Sequence, residues 1–208
     1  LTGPLESTGF VRAANGWICY LPIPWNAETG NTELTVTADG YTETLTLSVR
    51  AASYSYKDYS TKSQLTSPYI GADDAPDAVR RLLTTDGGEI QWAVGGFVQP
   101  FLDSFDTPLL YGMTEYVGRS YSERSTNYGY GGRTSTNVVI KPKKSKDSMI
   151  VPASGHVLLA EDLGGSYDYT VVIDHGAGLR SIFYGLTALD VEAGDDVKPV
   201  SYTHLSCR

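Results

Sequence analysis

At 208 residues the chain has room for one large domain or two small ones. Its 24 acidic against 16 basic side chains leave a formal charge of -8, the wrong sign for the basic face that nucleic-acid phosphates require. Hydrophobic residues at 41% and charged residues at 19% are those of a folded protein, and no apolar run reaches the length of a membrane span. The aromatic set is tyrosine-heavy, with 15 Tyr against 5 Phe and 3 Trp. Tyrosine, apolar on its face and polar at its tip, suits half-exposed strands as well as sugar or peptide grooves. The two cysteines, Cys19 and Cys207, are too few for a disulfide scaffold or a cysteine-based metal site. No signal peptide is legible, and the chain opens at Leu1, so a fragment is expected, whose missing export signal does not argue for the cytoplasm.

In chain order, Trp17 to Leu21 reads as a buried strand ended by Pro22 and Pro24. Leu34 to Ala38 and Leu45 to Val49 alternate apolar and polar residues on either side of Asp39-Gly40. A two-residue loop there puts both apolar rows on one face of a hairpin. This predicts a small Ig-like β-sandwich over residues 1–52. Residues 53–94 read as a connecting region with a short helix, Pro76 to Leu83, which Asp74 would cap and Gly87-Gly88 would stop. Its apolar side would carry Ala78, Val79, Leu82 and Leu83. Strands return after Gly95: Asn137 to Ile140, Met149 to Val151, His156 to Ala160, Tyr169 to Asp174 and Leu179 to Tyr184. Gly164-Gly165 and Gly176-Ala177-Gly178 supply their turns. The segment Tyr111 to Gly132 is a long loop rich in Tyr, Ser, Gly and Arg, of a length that is usually functional or mobile.

Val151-Pro152-Ala153-Ser154-Gly155-His156-Val157 is followed by Tyr169 to Leu179, which contains Val171-Val172-Ile173-Asp174-His175-Gly176. Phe183-Tyr184-Gly185-Leu186 and Val191 to Lys198, with Gly194-Asp195, come next. This order resembles the LytM/lysostaphin-type zinc endopeptidases, which cut peptides of bacterial peptidoglycan. There an A-P-A-x-G-x-V strand precedes V-V-I-D-H-G-x-G-L, then Y-x-H-L, then V-x-x-G-D-x-V. Phe97-Val98-Gln99-Pro100 and Tyr111-Gly112 are similar to the family's entry strand and turn. The resemblance implies a mainly β fold, with the N-terminal sandwich followed by a β-rich barrel-sandwich hybrid over residues 95–199. It also implies an extracellular or cell-envelope location.

The family's chemistry is metal-assisted hydrolysis, with zinc held by H-x-x-x-D and a later H-x-H and a bound water aimed at the scissile carbonyl. Counting back from Val151 puts the first His at Thr136 and the Asp at Ile140, and Gly185 stands where Y-x-H-L has its His. The histidines are His156, His175 and His204, so none lies between Phe101 and Gly155. The resemblance therefore implies a degenerate member with no catalytic residues and no bound cofactor, although active members carry zinc. His175 falls at a turn position of the motif and His156 on a strand, exposed or hydrogen-bonded. Tyr202-Thr203-His204-Leu205 imitates Y-x-H-L in the wrong order. Lys141, Lys143, Lys144 and Lys146 read as a solvated turn, with a wall anion as the other use. Gly129-Tyr130-Gly131-Gly132 lacks the context of a phosphate loop.

Three functions follow from this pattern: a groove that binds peptidoglycan or a wall-hydrolase partner, an active zinc endopeptidase cleaving cross-links, or a purely architectural part of a wall or spore layer. The first is favoured, because histidines are missing where the second needs them. Tyr128, Tyr130 and Tyr184 are the candidate groove residues. Residues 200–208 fit no strand pattern of the domain and resemble translated adaptor sequence. The gene is expected to diverge near Pro199 and to continue with an altered H-x-H. Re-sequencing the locus across that junction checks this expectation, and a genuine stop codon after Arg208 refutes it.

Overall fold

The computed structural model describes residues 3, 7–13, 15–85, 96–101, 104–118, 132–144, 148–199 and 205–207. The fold is mainly β. Strands β1 (Val11–Ala13) and β2 (Gly16–Ile18) form one antiparallel hairpin, and β3 (Gly30–Ala38) and β4 (Tyr41–Val49) form another. In the second, Asp39 and Gly40 both have positive φ, 49° and 82°, as a tight two-residue turn requires. The resulting register sets Leu34 opposite Leu45 and Ala38 opposite Tyr41, so the apolar rows share a face as the spacing predicts. The expectation of a buried strand at Trp17 to Leu21 is corrected. Strand β2 ends at Ile18, and Trp17 is 67% exposed, because a two-stranded ribbon covers only what packs against it.

Next come β5 (Tyr56–Tyr59), two 3-10 turns at Lys62–Gln64 and Ala72–Asp74, and helix α1 (Asp77–Leu83). The expected helix is present one residue shorter. Its cap is not Asp74 but Pro76, whose ring presets the backbone before the first turn. Asp74 instead accepts the Gly71 amide at 3.1 Å and closes the preceding 3-10 turn.

The remaining strands are β6 (Phe105–Leu109), β7 (Thr114–Val117), β8 (Arg133–Thr134), β9 (Val139–Pro142), β10 (Ser148–Met149), β11 (Gly155–Asp162), β12 (Tyr169–Asp174), β13 (Arg180–Ala188), β14 (Asp196–Val197) and β15 (Leu205–Cys207). Strand β5 pairs in parallel with β7, which pairs with β8, while β6 pairs with β9. An antiparallel sheet in the order β10-β15-β13-β12-β11-β14 completes the fold. Residues 205–207, expected to fit no strand, pair with β10 and β13. Pairing uses backbone groups, so a free edge accepts an extended segment whatever its side-chain pattern.

Strand β12 is buried on both faces, which explains its unbroken apolar run. Val171 and Ile173 face a core with Phe101, Val151, Val157, Leu186 and Val197. Val172 faces the other way, with Leu159 and Val79 of α1, and Ala78, Leu82, Ile182 and Tyr184 pack around them. Helix α1 therefore covers the outer face of the sheet. Seven residues are too few for a helix to be stable alone, so this contact holds it. Val79 is fully buried and Leu83 is 42% exposed. Val79→Ala is expected to lower stability by about 1–3 kcal/mol, whereas Leu83→Ala changes it by less than about 0.5 kcal/mol. Urea unfolding of the two variants measures the contrast.

Candidate functional site

The three positions singled out for zinc chemistry are all engaged in holding the fold. Thr136 lies between β8 and β9, where its hydroxyl accepts the Ala72 amide at 2.9 Å and its own amide donates to the Tyr69 phenol at 3.1 Å. The neighbouring Asn137 side chain donates to the Ile70 carbonyl, so this corner clamps residues 69–72. Ile140, on β9, packs against the inner core. Gly185 sits in β13 with φ +75°, where the register with β12 shifts, and its amide donates to the Tyr167 carbonyl at 2.8 Å. A Cβ there would meet nothing within 4 Å. What disfavours a histidine at 185 is therefore the left-handed backbone and not lack of space. A hydroxyl and an alkyl group do not replace the two zinc donors of H-x-x-x-D. Among the described residues no group of three His, Cys, Asp or Glu side chains converges.

His175 is buried at the β12–β13 turn. Its Nδ1 lies 2.8 Å from the Ser154 carbonyl and must donate, so in the neutral ring Nε2 accepts from Ser181 Oγ at 2.7 Å. Both nitrogens are thus occupied, and the Phe97 ring meets the imidazole edge-on at 5.1 Å. Burial pushes its pKa below the ordinary value, against the opposing pulls of the Ser154 bond and the Asp174 charge. His156 is half-buried and pairs through Nδ1 with Asp196 Oδ1 at 2.9 Å, across the β11–β14 ladder. His204 lies outside the described residues.

Of the candidate groove residues, Tyr128 and Tyr130 lie outside the described residues. Tyr184 is half-buried under α1, its ring centroid 6.0 Å from that of Tyr167. Burial and the neighbouring Tyr167 phenol push its pKa up. The Tyr167 hydroxyl donates to the Asp74 carbonyl at 2.8 Å, and Arg180 donates to the carbonyls of Leu83 at 3.2 Å and Thr85 at 2.6 Å. The segment from Asp74 to Thr85 is therefore strapped across the face on which Tyr184 lies. In the basic run, Lys143 pairs with Asp106 at 3.3 Å, as a solvated turn would.

One constellation has no counterpart in the sequence reading. The Glu115 side chain, fully buried on β7, accepts from the Thr66 amide at 3.0 Å and its hydroxyl at 2.6 Å. It also forms an ion pair with Arg133 of β8. Arg133 donates to the Thr66 carbonyl at 2.9 Å, and its guanidinium lies 4.4 Å from the centre of the Tyr69 ring. Burial pushes the carboxyl pKa up, but the Thr66 and Arg133 bonds outweigh it and hold the pKa below the ordinary range. The Tyr59 phenol is pushed up by burial and by the Glu115 charge. Glu115 and Arg133 stand 18 positions apart, and no local spacing marks them as partners.

A mainly β protein is the class that this geometry defines. No protein-family model matches the chain, and no curated protein matches it. Among solved structures the chain is similar to one from Pseudomonas aeruginosa assigned to peptidase M23, with 21% identity and a TM-score of 0.47 over 98% of this chain and 71% of that one.

The state of His175 has a pH signature. Because its folded pKa lies below the ordinary 6.5, its contribution is fully present above that pH. It declines as pH falls from about 6.5 toward the folded value, because the unfolded chain takes up the proton first. Below about pH 6.5 the Tm of the native chain should fall more steeply than that of His175→Gln. Parallel Tm curves for the two proteins would contradict the buried neutral assignment.

Proposed function

We propose that the chain is a non-catalytic LytM/lysostaphin-type domain protein of the cell envelope, whose role is to bind peptidoglycan. Regulation of wall hydrolysis would follow from that binding. One observation carries the reading. The motif segments run in order through β11, the β12–β13 hairpin and β14 of a single sheet, while Thr136, Ile140 and Gly185 serve as clamp, core and bulge. A fold kept in this way without donors has uses other than hydrolysis, because chemistry resides in the site and not in the fold.

The domain division is part of the same proposal, with one change from 1–52, 53–94 and 95–199. Residues 56–85 go with the following domain, because β5 pairs with β7 and α1 packs on β11 and β12.

Metal analysis after dialysis is expected to find far less than one zinc per chain. Turbidity of cell-wall suspensions should stay constant in its presence, and the chain should sediment with isolated sacculi. One tightly held zinc with chelator-sensitive lysis overturns the non-catalytic reading, and failure to sediment overturns wall binding.

A further inference from the structure

The sheet β5-β7-β8 has two faces of opposite character. Lys57, Glu115 and Arg133 alternate onto the inner face, where Lys57 donates to the Pro108 carbonyl at 2.8 Å and Glu115 meets Arg133. Tyr56, Asp58, Thr114, Tyr116 and Thr134 share the other face. There the Thr114 and Thr134 hydroxyls lie 2.9 Å apart, and the rings of Tyr56 and Tyr116 meet edge to face at 6.3 Å. The same surface continues through Tyr54, two positions before Tyr56. The Tyr54 ring meets that of Tyr111 at 6.5 Å and 77°, and the Tyr111 phenol accepts the Trp25 amide at 3.0 Å. Five aromatic residues from three separate segments therefore converge, and Trp25, Tyr54, Tyr56 and Tyr111 are between 39% and 51% exposed.

Exposed rings are ordinarily mobile, but these are seated. A Cβ on Gly112 would lie 2.3 Å from the Tyr54 ring, and one on Gly132 would lie 2.5 Å from the Tyr116 ring. Each ring thus rests one face directly on bare backbone, so little conformational freedom is left to lose on binding. Apart from Asp58, whose charge would repel an anion, the side chains of this patch are neutral aromatics and hydroxyls, in a chain of net charge -8. That suits an uncharged, hydroxyl-rich ligand and not an anionic wall polymer. Perpendicular rings form a corner that offers a π-face for a sugar's C–H face and phenol groups at its rim for sugar hydroxyls.

We infer that Trp25, Tyr54, Tyr56, Tyr111 and Tyr116 form a saccharide-binding surface on which pyranose rings stack. This rests on the wall-binding reading only in assigning the sugar to the glycan strand, and it locates the contact away from Tyr184.

Calorimetric titration of the full chain with chitohexaose and with peptide-free glycan strands tests it, alongside sedimentation with intact sacculi. Both sugars should bind. Tyr54→Ala/Tyr56→Ala should weaken binding about tenfold or more, and Tyr54→Phe/Tyr56→Phe should stay within about twofold of the native chain. Circular dichroism verifies the fold, and Tyr56→Ser, at the most exposed of these rings, serves if the double variant does not fold. Its binding should also weaken, by about threefold or more. Sedimentation with sacculi but no binding of either sugar overturns the surface and leaves wall binding standing. Binding of neither sacculi nor sugars overturns both. Unchanged affinity in the folded double variant, or in Tyr56→Ser where that variant replaces it, overturns the surface alone.

Discussion

A buried carboxylate is tolerated only where its charge is met on every side, and Glu115 is met by a hydroxyl, a backbone amide and a guanidinium. Those donors come from Thr66 and Arg133, and Arg133 in turn holds the Thr66 carbonyl and covers Tyr69. The residues that neutralise one acid thereby fix where the segment after β5 leaves its sheet. From that point Tyr69, Ile70 and Ala72 meet Thr136 and Asn137, Asp74 meets Tyr167, and Val79 enters the outer core. The path across the large sheet thus follows from how Glu115 is satisfied.

The same ion pair separates the two faces of the small sheet. With Lys57, Glu115 and Arg133 turned inward, strand alternation turns Tyr56, Tyr116 and two threonines outward. The aromatic surface and the buried charge are one constraint seen from opposite sides. Inverting the strands would turn Tyr56 and Tyr116 inward and leave the Thr66 amide and hydroxyl without the carboxylate they meet.

Legibility in the sequence follows the range of the interactions. The turn at Asp39-Gly40, the doubly buried β12 and the apolar side of α1 are written in neighbouring residues, and they appear where their spacing puts them. So is the turn at His175, whose partners are Ser154, just before β11, and Ser181 on β13. The parallel pairing of β5 with β7 is not legible, because its partners are distant in the chain and parallel ladders carry no turn signal. Residues 53–94 therefore read as a connection although they contain a strand and a docked helix. Trp17 misled because apolar composition says that burial is favourable and not that a second layer is present. The tyrosine content suits half-exposed strands as well as grooves, and spacing alone could not select Tyr54, Tyr56, Tyr111 and Tyr116 as ring partners from fifteen.

Gly185 and Thr136 show how single positions are committed to the fold. At a register shift the backbone takes a left-handed turn, which glycine adopts without penalty and a Cβ-bearing residue adopts at a cost of about 1 kcal/mol or more. A histidine at 185 would therefore have to work against the backbone. Thr136 is bound in a similar way, since its hydroxyl satisfies the Ala72 amide, and a side chain without an acceptor in its place would leave that donor unmet. One residue shapes the register of β13 on β12 and the other holds the Ala72 corner, so neither changes without a cost to the structure.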